Sequence, residues 1–187
     1  MHVWRLARAV YDPLDGEGAR LHGGRWNREG TPLVYTSDHL SLCALEQLVH
    51  LSPENVPEDL TAFEIEVPED LLIEKVGTED LPGGWDRIAD HPECQRIGEL
   101  WARGESSPVL EVPSAVLPME MNYLINPRHP EAEAIQVAEA EEFRFDQRLL
   151  RLREEQAGDR QLQSDVLSGI VPKGPGLLDV AVERLPA

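Results

Sequence analysis

Four polar residues stand in sequence contexts where a polar side chain needs an explanation. Arg25 lies in the glycine-containing stretch GGRWN, and Tyr35 lies in the strand-like stretch LVYTS. Glu46 falls within an amphipathic helical pattern, and Ser114 follows a proline in VPSAV. Guanidinium groups bind anions, and carboxylates stabilise a developing cation. These four are the candidate site residues of the chain.

Arg25 and Glu46 are the two charged candidates. The glycines beside Arg25 let backbone approach a ligand closely, and a guanidinium can hold a pyrophosphate through two hydrogen bonds. Glu46 lies four residues after Leu42 and three before Val49, which places it on the apolar face of its helix. A carboxylate on that face is costly unless it is paired or catalytic. By its position alone, Glu46 is either a structural ion pair or a catalytic group.

Tyr35 and Ser114 each have an ordinary structural interpretation as well. A tyrosine within a strand often serves only to pack the core. Ser114, beside Pro113, could satisfy local backbone with its hydroxyl. The position of either residue alone predicts no particular chemistry.

Several other chemistries are disfavoured by the motifs that the chain lacks. The six histidines form no HExxH motif and no cluster with cysteine, so no metal site is predicted. Cys43 and Cys94 have no CxxC spacing, which favours a reducing cytoplasm over a disulfide framework. Ser114 lacks the GxSxG turn of hydrolases. Neither a Walker loop nor a GxGxxG unit is present.

Composition predicts a globular chain with a strongly acidic surface. The 187 residues are 41% hydrophobic and 28% charged, and no apolar run or clean signal peptide predicts membrane insertion or export. The net charge of −18 disfavours direct binding of nucleic acid. It suits a basic protein partner, or it serves only solubility. A small anionic substrate would need a local positive pocket made by a few arginines.

The apolar pattern predicts an α+β domain that ends near Arg148 and is followed by a tail of unknown role, which we treat as an extension over 151–187. Strands are predicted at HVWRLAR, TPLVYTSD, TAFEIEVPED, LLIEKV, SPVLEVPSAVLP, AIQVAEA and FRFD, the fifth of them interrupted by Pro113 and therefore an edge or a break. Helices are predicted at HLSLCALEQLVHLS, capped by Ser37 or Asp38 and ended by Ser52-Pro53, and at HPECQRIGELWARGES, with Leu100 among its inward residues. YDPLDGEGARLHGGRWN is predicted to be an irregular loop, and NYLINPRHPEAE a polar connection.

Taken in order, four segments are far more specific than any single residue. GGRWN is followed by TPLVYTSDHLSLCALEQLVHL, then by VLEVPSAVLPMEMNYLINPRHPEA, and then by FRFDQRL. This series resembles the RES domain family, which is named for arginine, glutamate and serine, and the resemblance covers residues 2–150. It implies a single domain similar to the ADP-ribosyltransferase toxin fold, with mixed strands and a few helices.

The resemblance also implies roles for individual residues. The name-giving positions correspond to Arg25, Glu46 and Ser114, which are implied to be catalytic. Three further positions are implied to bind substrate, the last of them by a weaker match: Arg5 in VWRLAR, Tyr35, and Asn126 in NYLINP.

Members of the family are bacterial toxins that consume NAD+ by cleaving its nicotinamide–ribose bond, and their antitoxin is usually an Xre-like helix-turn-helix protein. The resemblance therefore implies a cytoplasmic toxin with NAD+ as substrate, no resident cofactor, and an antitoxin partner in a complex that can be oligomeric. The acceptor (water, phosphate or a protein) stays open, with degradation to free product as the leading expectation. ADP-ribosylation of a host protein is the alternative. A silent domain that only binds its partner is the alternative of another class, and the retention of Arg25, Tyr35, Glu46 and Ser114 argues against it.

Overall fold

A seven-stranded mixed sheet forms the centre of the protein in the computed structural model, which describes residues 1–51 and 55–150. The strands are β1 His2–Arg8, β2 Val34–Ser37, β3 Leu60–Glu66, β4 Ile73–Lys75, β5 Val109–Pro113, β6 Met121–Ile125 and β7 Gln136–Phe143. Their order is β4-β5-β6-β2-β1-β3-β7, and only the β4–β5 pair is parallel. The helices are α1 Glu17–His22, α2 Leu40–Leu48 and α3 Pro92–Gly104. The predicted α+β class is confirmed.

The sheet carries apolar side chains on both of its faces. Along β5, Val109 belongs to one buried cluster and Leu110 to another, as the two-residue period of a strand requires. The first cluster includes Val3, Ile65 and Ile125. The second includes residues of α3 and of the loop before β2: Trp26, Leu33, Cys94 and Trp101. The central strands are therefore covered on both sides.

Residues up to Phe145 form one compact unit, and a second unit begins at Asp146. The predicted extension, 151–187, lies outside the described residues, as does the predicted helix end at Ser52-Pro53. None of the described helices is long and apolar enough to cross a membrane.

Local predictions differ from the structure at three elements. The predicted irregular loop contains α1. At the start of this helix, the Asp15 carboxylate accepts a hydrogen bond from the backbone N–H of Glu17. The predicted polar connection contains β6, an inner strand whose Leu124 and Ile125 are buried. β6 forms because it pairs with both β2 and β5, contacts that sequence polarity does not reveal. The first of the two predicted C-terminal strands is β7, whereas FRFD is wrong as a strand, since β7 ends at Phe143 and residues 144–146 have no regular structure.

Both predicted helices exist, but details of their ends and faces differ. His39, not Ser37 or Asp38, is the N-cap of α2, and no side chain hydrogen-bonds there. In α3 the buried face follows Cys94, Gly98 and Trp101, at spacings of four and three residues. Leu100 therefore points to solvent and is 58% exposed.

The sheet opens between β1 and β2. β1 pairs with β3 along its whole length, but with β2 only at Trp4 and Ser37. Beyond that pair, α2 satisfies the backbone of Leu6: its N–H donates to Cys43 Sγ at 3.2 Å, and its carbonyl accepts from Gln47 Nε2 at 2.6 Å. Side chains of α2 thus take the hydrogen bonds that a neighbouring strand would otherwise make, and a cleft lies at this opening.

Candidate active site

The cleft has a volume of about 1070 Å³ and is lined by β1, β2, α2 and the GGRWN loop. Four of the predicted site residues line it: Arg5, Arg25, Tyr35 and Glu46. Ser114 reaches it only through a contact with Glu46, and Asn126 does not line it. The opening of the sheet therefore brings together residues that are distant in sequence.

Glu46 is anchored through one of its two carboxylate oxygens. Oε1 accepts hydrogen bonds from Ser114 Oγ at 2.7 Å and from Asn122 Nδ2 at 2.6 Å. Oε2 has no hydrogen-bond partner among residues 1–51 and 55–150. The side chain is held in a fixed orientation while one oxygen stays available to a ligand in the cleft.

Ser114 is wholly buried at the end of β5. Its hydroxyl oxygen accepts the backbone N–H groups of Val116 at 3.1 Å and Leu117 at 2.9 Å. With its lone pairs used in this way, the hydroxyl hydrogen points at Glu46. Ser114 is thus placed to orient the carboxylate.

Asn122 is a site residue that the sequence analysis missed. It lies on β6, in register with Ser37 of β2, and its Oδ1 accepts from Ser37 Oγ at 2.7 Å. That contact leaves the Asn122 amide hydrogens directed at Glu46. The missed signal is the strand itself, because a β6 prediction would have placed Asn122 beside β2.

Asn126 lies beyond the end of β6 and has a different set of contacts. Its Nδ2 donates to the Ala102 carbonyl of α3 at 2.9 Å, and its Oδ1 accepts the Arg128 N–H at 3.1 Å. It is buried, with 2% of its surface exposed. These contacts tie the turn after β6 to α3, outside the cleft.

Four arginines line the cleft, and two of them lack an acidic partner. Arg8 pairs with Asp59 and Arg28 pairs with Glu99. The remaining two, Arg5 and Arg25, form no ion pair within the part of the chain that the structure describes. In a chain of net charge −18, two uncompensated guanidinium groups make a local site for an anion.

Arg5 and Arg25 are each held by backbone carbonyls. Arg5 donates from NH1 to the Tyr35 carbonyl at 3.1 Å, while its Nε is buried without a partner. Burial lowers the pKa of the Arg5 guanidinium, although an arginine stays charged at neutral pH. Arg25 donates from NH1 to the carbonyls of Trp85 and Ile88, the latter at 2.7 Å. Both side chains keep N–H groups for a ligand.

The GGRWN loop is closed on itself and held by Tyr35. Gly24 N–H donates to the Asn27 carbonyl at 2.9 Å, so Arg25 lies at the tip of a tight turn. The Tyr35 hydroxyl accepts the Trp26 N–H at 3.0 Å. A Cβ at Gly24 would come within 2.6 Å of that hydroxyl, which is why glycine is required there. Burial raises the pKa of Tyr35 above its ordinary value, so the hydroxyl keeps its proton.

The histidines and cysteines do not form a metal centre within residues 1–51 and 55–150, where no cluster of three or more ligating residues occurs. His91 and His129 instead accept backbone N–H groups at the starts of α3 and of a 3-10 helix, Pro130–Ala134. Cys43 and Cys94 are both buried and free, and burial raises the pKa of the Cys43 thiol to about 11.

Comparison with known proteins identifies the family. The RES domain matches residues 2–146, so the chain belongs to the RES domain family, as its motifs predict. The Prs ADP-ribosylating toxin of Sphingobium sp. (strain YBL2) is 37% identical, over 79% of this chain and 96% of that protein. The protein named Toxin Res from Pseudomonas putida is 36% identical, over 80% of this chain and 99% of its own length.

A solved structure shares the fold. The structure of the M. tuberculosis MbcT-MbcA toxin-antitoxin complex contains a chain that aligns with a TM-score of 0.64. The alignment covers 82% of this chain and 88% of that chain at 22% identity. At this level of identity the likeness concerns the fold alone.

Proposed function

We propose that the chain is a toxin that cleaves the nicotinamide–ribose bond of NAD+, passing the ADP-ribosyl group to water or phosphate. The observation that carries the proposal is Glu46, anchored at Oε1, in the same cleft as Arg5 and Arg25. Within the described residues, Oε2 has no hydrogen-bond partner and neither arginine has an acidic partner. Family membership supports it, because the curated relatives are toxins and one is described as ADP-ribosylating.

The chemistry assigns a separate task to each part of the cleft. Arg25 and Arg5 bind the pyrophosphate, and the Tyr35 ring lies against the cationic nicotinamide. As the glycosidic bond breaks, its electron pair passes to the nicotinamide nitrogen and positive charge develops on the ribose. The Glu46 carboxylate stabilises that charge through Oε2. Ser114 and Asn122 hold the carboxylate in place and do not react.

A second candidate is the transfer of ADP-ribose to a protein. The name of the 37% identical Sphingobium relative favours it. The bond that breaks is the same, and only the acceptor differs. The residues around the cleft do not select between the acceptors, so the two candidates are separated by their products.

We also propose an antitoxin partner, of the Xre-like helix-turn-helix class, that closes the cleft. A toxin that drains NAD+ has to be silenced in its own cell, and a partner that covers Arg5 and Arg25 would block pyrophosphate binding. The net charge of −18 suits a partner with basic residues. Its association rate is then expected to fall as salt is added; a rate independent of salt would contradict the electrostatic part of the proposal.

The proposal is tested by incubating the purified protein with NAD+ and measuring free nicotinamide. Mass spectrometry of the remaining product, with and without phosphate, distinguishes ADP-ribose from its phosphorylated form, and a mass increase on added bacterial proteins identifies transfer. Absence of nicotinamide under all of these conditions would leave the silent binding domain as the better description.

Glu46→Gln is the variant that ties the activity to the cleft. It keeps size and hydrogen bonding but removes the negative charge, so nicotinamide release is expected to fall by about 10²-fold or more. Glu93→Gln, on the exposed first turn of α3, is the matched control and is expected to behave like the unmodified protein. Near-normal turnover in Glu46→Gln would make Glu46 a structural residue only.

A further inference from the structure

We infer that Asn27 and the hydroxyl of Tyr35 are positioning residues that fix Arg25 for substrate binding. The inference rests on the proposed function and adds a second task for Tyr35, separate from contact between its ring and the nicotinamide. It concerns a chain of hydrogen bonds in the wall of the cleft that links β2, the GGRWN loop and α3.

Asn27 is the centre of this chain. It is wholly buried, and its Nδ2 donates to the carbonyls of Ala19 at 2.8 Å, Arg28 at 3.1 Å and Thr31 at 2.9 Å. Its Oδ1 accepts from the Tyr35 hydroxyl at 2.7 Å. One amide thus binds the end of α1, the GGRWN loop and β2 together.

The Tyr35 hydroxyl holds the loop at two neighbouring points. It donates to the Asn27 side chain and accepts from the Trp26 N–H, the residue directly after Arg25. No other hydrogen bond to the Trp26 N–H is made by residues 1–51 and 55–150. The hydroxyl is therefore the attachment that fixes the peptide between Arg25 and Trp26.

α3 supports the same loop from the opposite side. Gln95 Nε2 donates to the carbonyls of Gly24 at 3.1 Å and Asn27 at 3.4 Å. Gly98, one turn later, lies so close to the Trp26 carbonyl that a Cβ there would collide with it. The residues on both sides of Arg25 are thus fixed by contacts to rigid elements.

These contacts reduce the freedom of Arg25 before any ligand arrives. Its NH1 is already bound to the carbonyls of Trp85 and Ile88, whereas Nε and NH2 have no partner among the described residues. Because the Arg25 backbone and NH1 are already fixed, its remaining N–H groups point in a set direction before a ligand binds. Ordering a side chain costs free energy on binding, and for Arg25 most of that cost is already met. We call the hydrogen bonds that Tyr35, Asn27 and Gln95 make to the GGRWN loop the clamp. Loss of the clamp should raise KM for NAD+ more than it lowers kcat.

The test compares Tyr35→Phe, which keeps the ring and removes only the hydroxyl, with Tyr123→Phe. Tyr123 is a buried tyrosine of β6 that does not line the cleft. Tyr35→Phe is expected to raise KM for NAD+ about tenfold, with kcat within about threefold of the unmodified protein. In an Arg25→Ala background the same substitution is expected to have no further effect on KM, because the hydroxyl acts through Arg25. Tyr123→Phe should leave KM unchanged.

Gln95→Met and hydrogen exchange test the same contacts independently of Tyr35 and of catalysis, respectively. Gln95→Met removes the clamp from α3 and should give the same increase in KM. Hydrogen exchange of residues 23–28, measured without substrate, should be faster in Tyr35→Phe than in Tyr123→Phe.

An unchanged KM in both clamp variants, or an equal increase in KM with and without Arg25, would overturn the inference. If the unmodified protein releases no nicotinamide, the proposed function fails. Hydrogen exchange of residues 23–28 then tests by itself whether the Tyr35 hydroxyl holds the loop. Faster exchange then supports it, and equal exchange in the two tyrosine variants overturns it.

Discussion

The two carboxylate oxygens of Glu46 differ in their surroundings, because Oε1 is bound by protein donors and Oε2 is left for the cleft. Two donors, Ser114 directly after β5 and Asn122 on β6, meet at Oε1. Two hydrogen bonds to one oxygen fix both the position and the rotation of the group, which a single bond would not do. In this chain, Ser114 contacts the cleft only through the glutamate to which its hydroxyl donates.

The two donors can be tested separately. Ser114→Ala and Asn122→Ala each remove one hydrogen bond to a charged group, worth about 1.5–3 kcal/mol, so each is expected to lower kcat/KM about tenfold or more. Ser107→Ala is the matched control, since Ser107 is a wholly buried serine hydrogen-bonded to Trp101 and Val109. It should lower the melting temperature and leave the kinetics of the folded protein unchanged. Wild-type kcat/KM in Ser114→Ala would show that Glu46 needs no such support.

Arg25 and Arg8 both line the cleft, but in the part of the chain that the structure describes only Arg8 of the two has an acidic partner. Arg25→Lys keeps the charge and loses the planar fork, so KM for NAD+ is expected to rise with little change in kcat, because a pyrophosphate is bound alike in the ground and transition states. Arg8→Lys should change KM by less than about twofold, since its charge is already paired at the surface. Steady-state kinetics of the two variants checks this, and equal effects on KM would remove the special role of Arg25.

The sequence could point to Arg25 because the glycines beside it allow close approach of a ligand, and to Glu46 because a carboxylate is costly on a helix face predicted to be apolar. In the structure that face is only partly buried, since Val49 is 46% exposed. Asn122 gives no such signal, since an asparagine in a polar-looking stretch is unremarkable. Its importance depends on pairing with Ser37, 85 residues away. Contacts of that range are set by the folded sheet and are invisible to local patterns.

At the scale of elements, α3 shows how close packing places a loop. Gly98→Ala puts a methyl group against the Trp26 carbonyl and is expected to destabilise the fold by about 1–3 kcal/mol, since overpacking forces backbone to move. Gly104→Ala is the control in the same helix, where an added Cβ meets nothing within 4 Å. That change should be neutral or stabilising. Chemical denaturation of both variants tests the difference, and equal stabilities would show that the Gly98 contact is easily relieved.

Helices and strands were predicted correctly where the apolar residues have a strong period. They were missed where a segment becomes a strand only by pairing with strands distant in sequence. α2 and β3 have clear apolar periods, and both lie where the pattern predicts. β6 contains the polar Asn122 and runs into a polar stretch, and it pairs as a strand with β2 and β5 on either side. Leu100 shows that the buried face of a helix is predicted less reliably than the helix itself. The buried face of α3 contains Cys94, Gly98 and Trp101, and Leu100 lies outside it.

At the scale of the whole molecule, the excess of acidic residues should oppose folding. Thirty-five carboxylates against 17 cations repel one another in the compact state. Glu64 of β3 even lies directly opposite Glu139 of β7. We expect the melting temperature to rise between 10 mM and about 300 mM sodium chloride, as the Debye length shortens to less than 10 Å. A melting temperature that falls over this range would show that the ion pairs outweigh the repulsion.

The opening between β1 and β2 has an evolutionary consequence. Buried backbone N–H and C=O groups need hydrogen-bond partners, and at the gap Cys43 and Gln47 supply those of Leu6 in place of a neighbouring strand. Substitutions at these two positions of α2 would remove those hydrogen bonds, and we expect the strands to approach and fill the gap. Gln47 is the less disruptive of the two positions, because Cys43 also belongs to the buried core. A lineage relieved of selection for toxicity could therefore lose its activity by closing the sheet, with Arg25, Glu46 and Ser114 still present in its sequence.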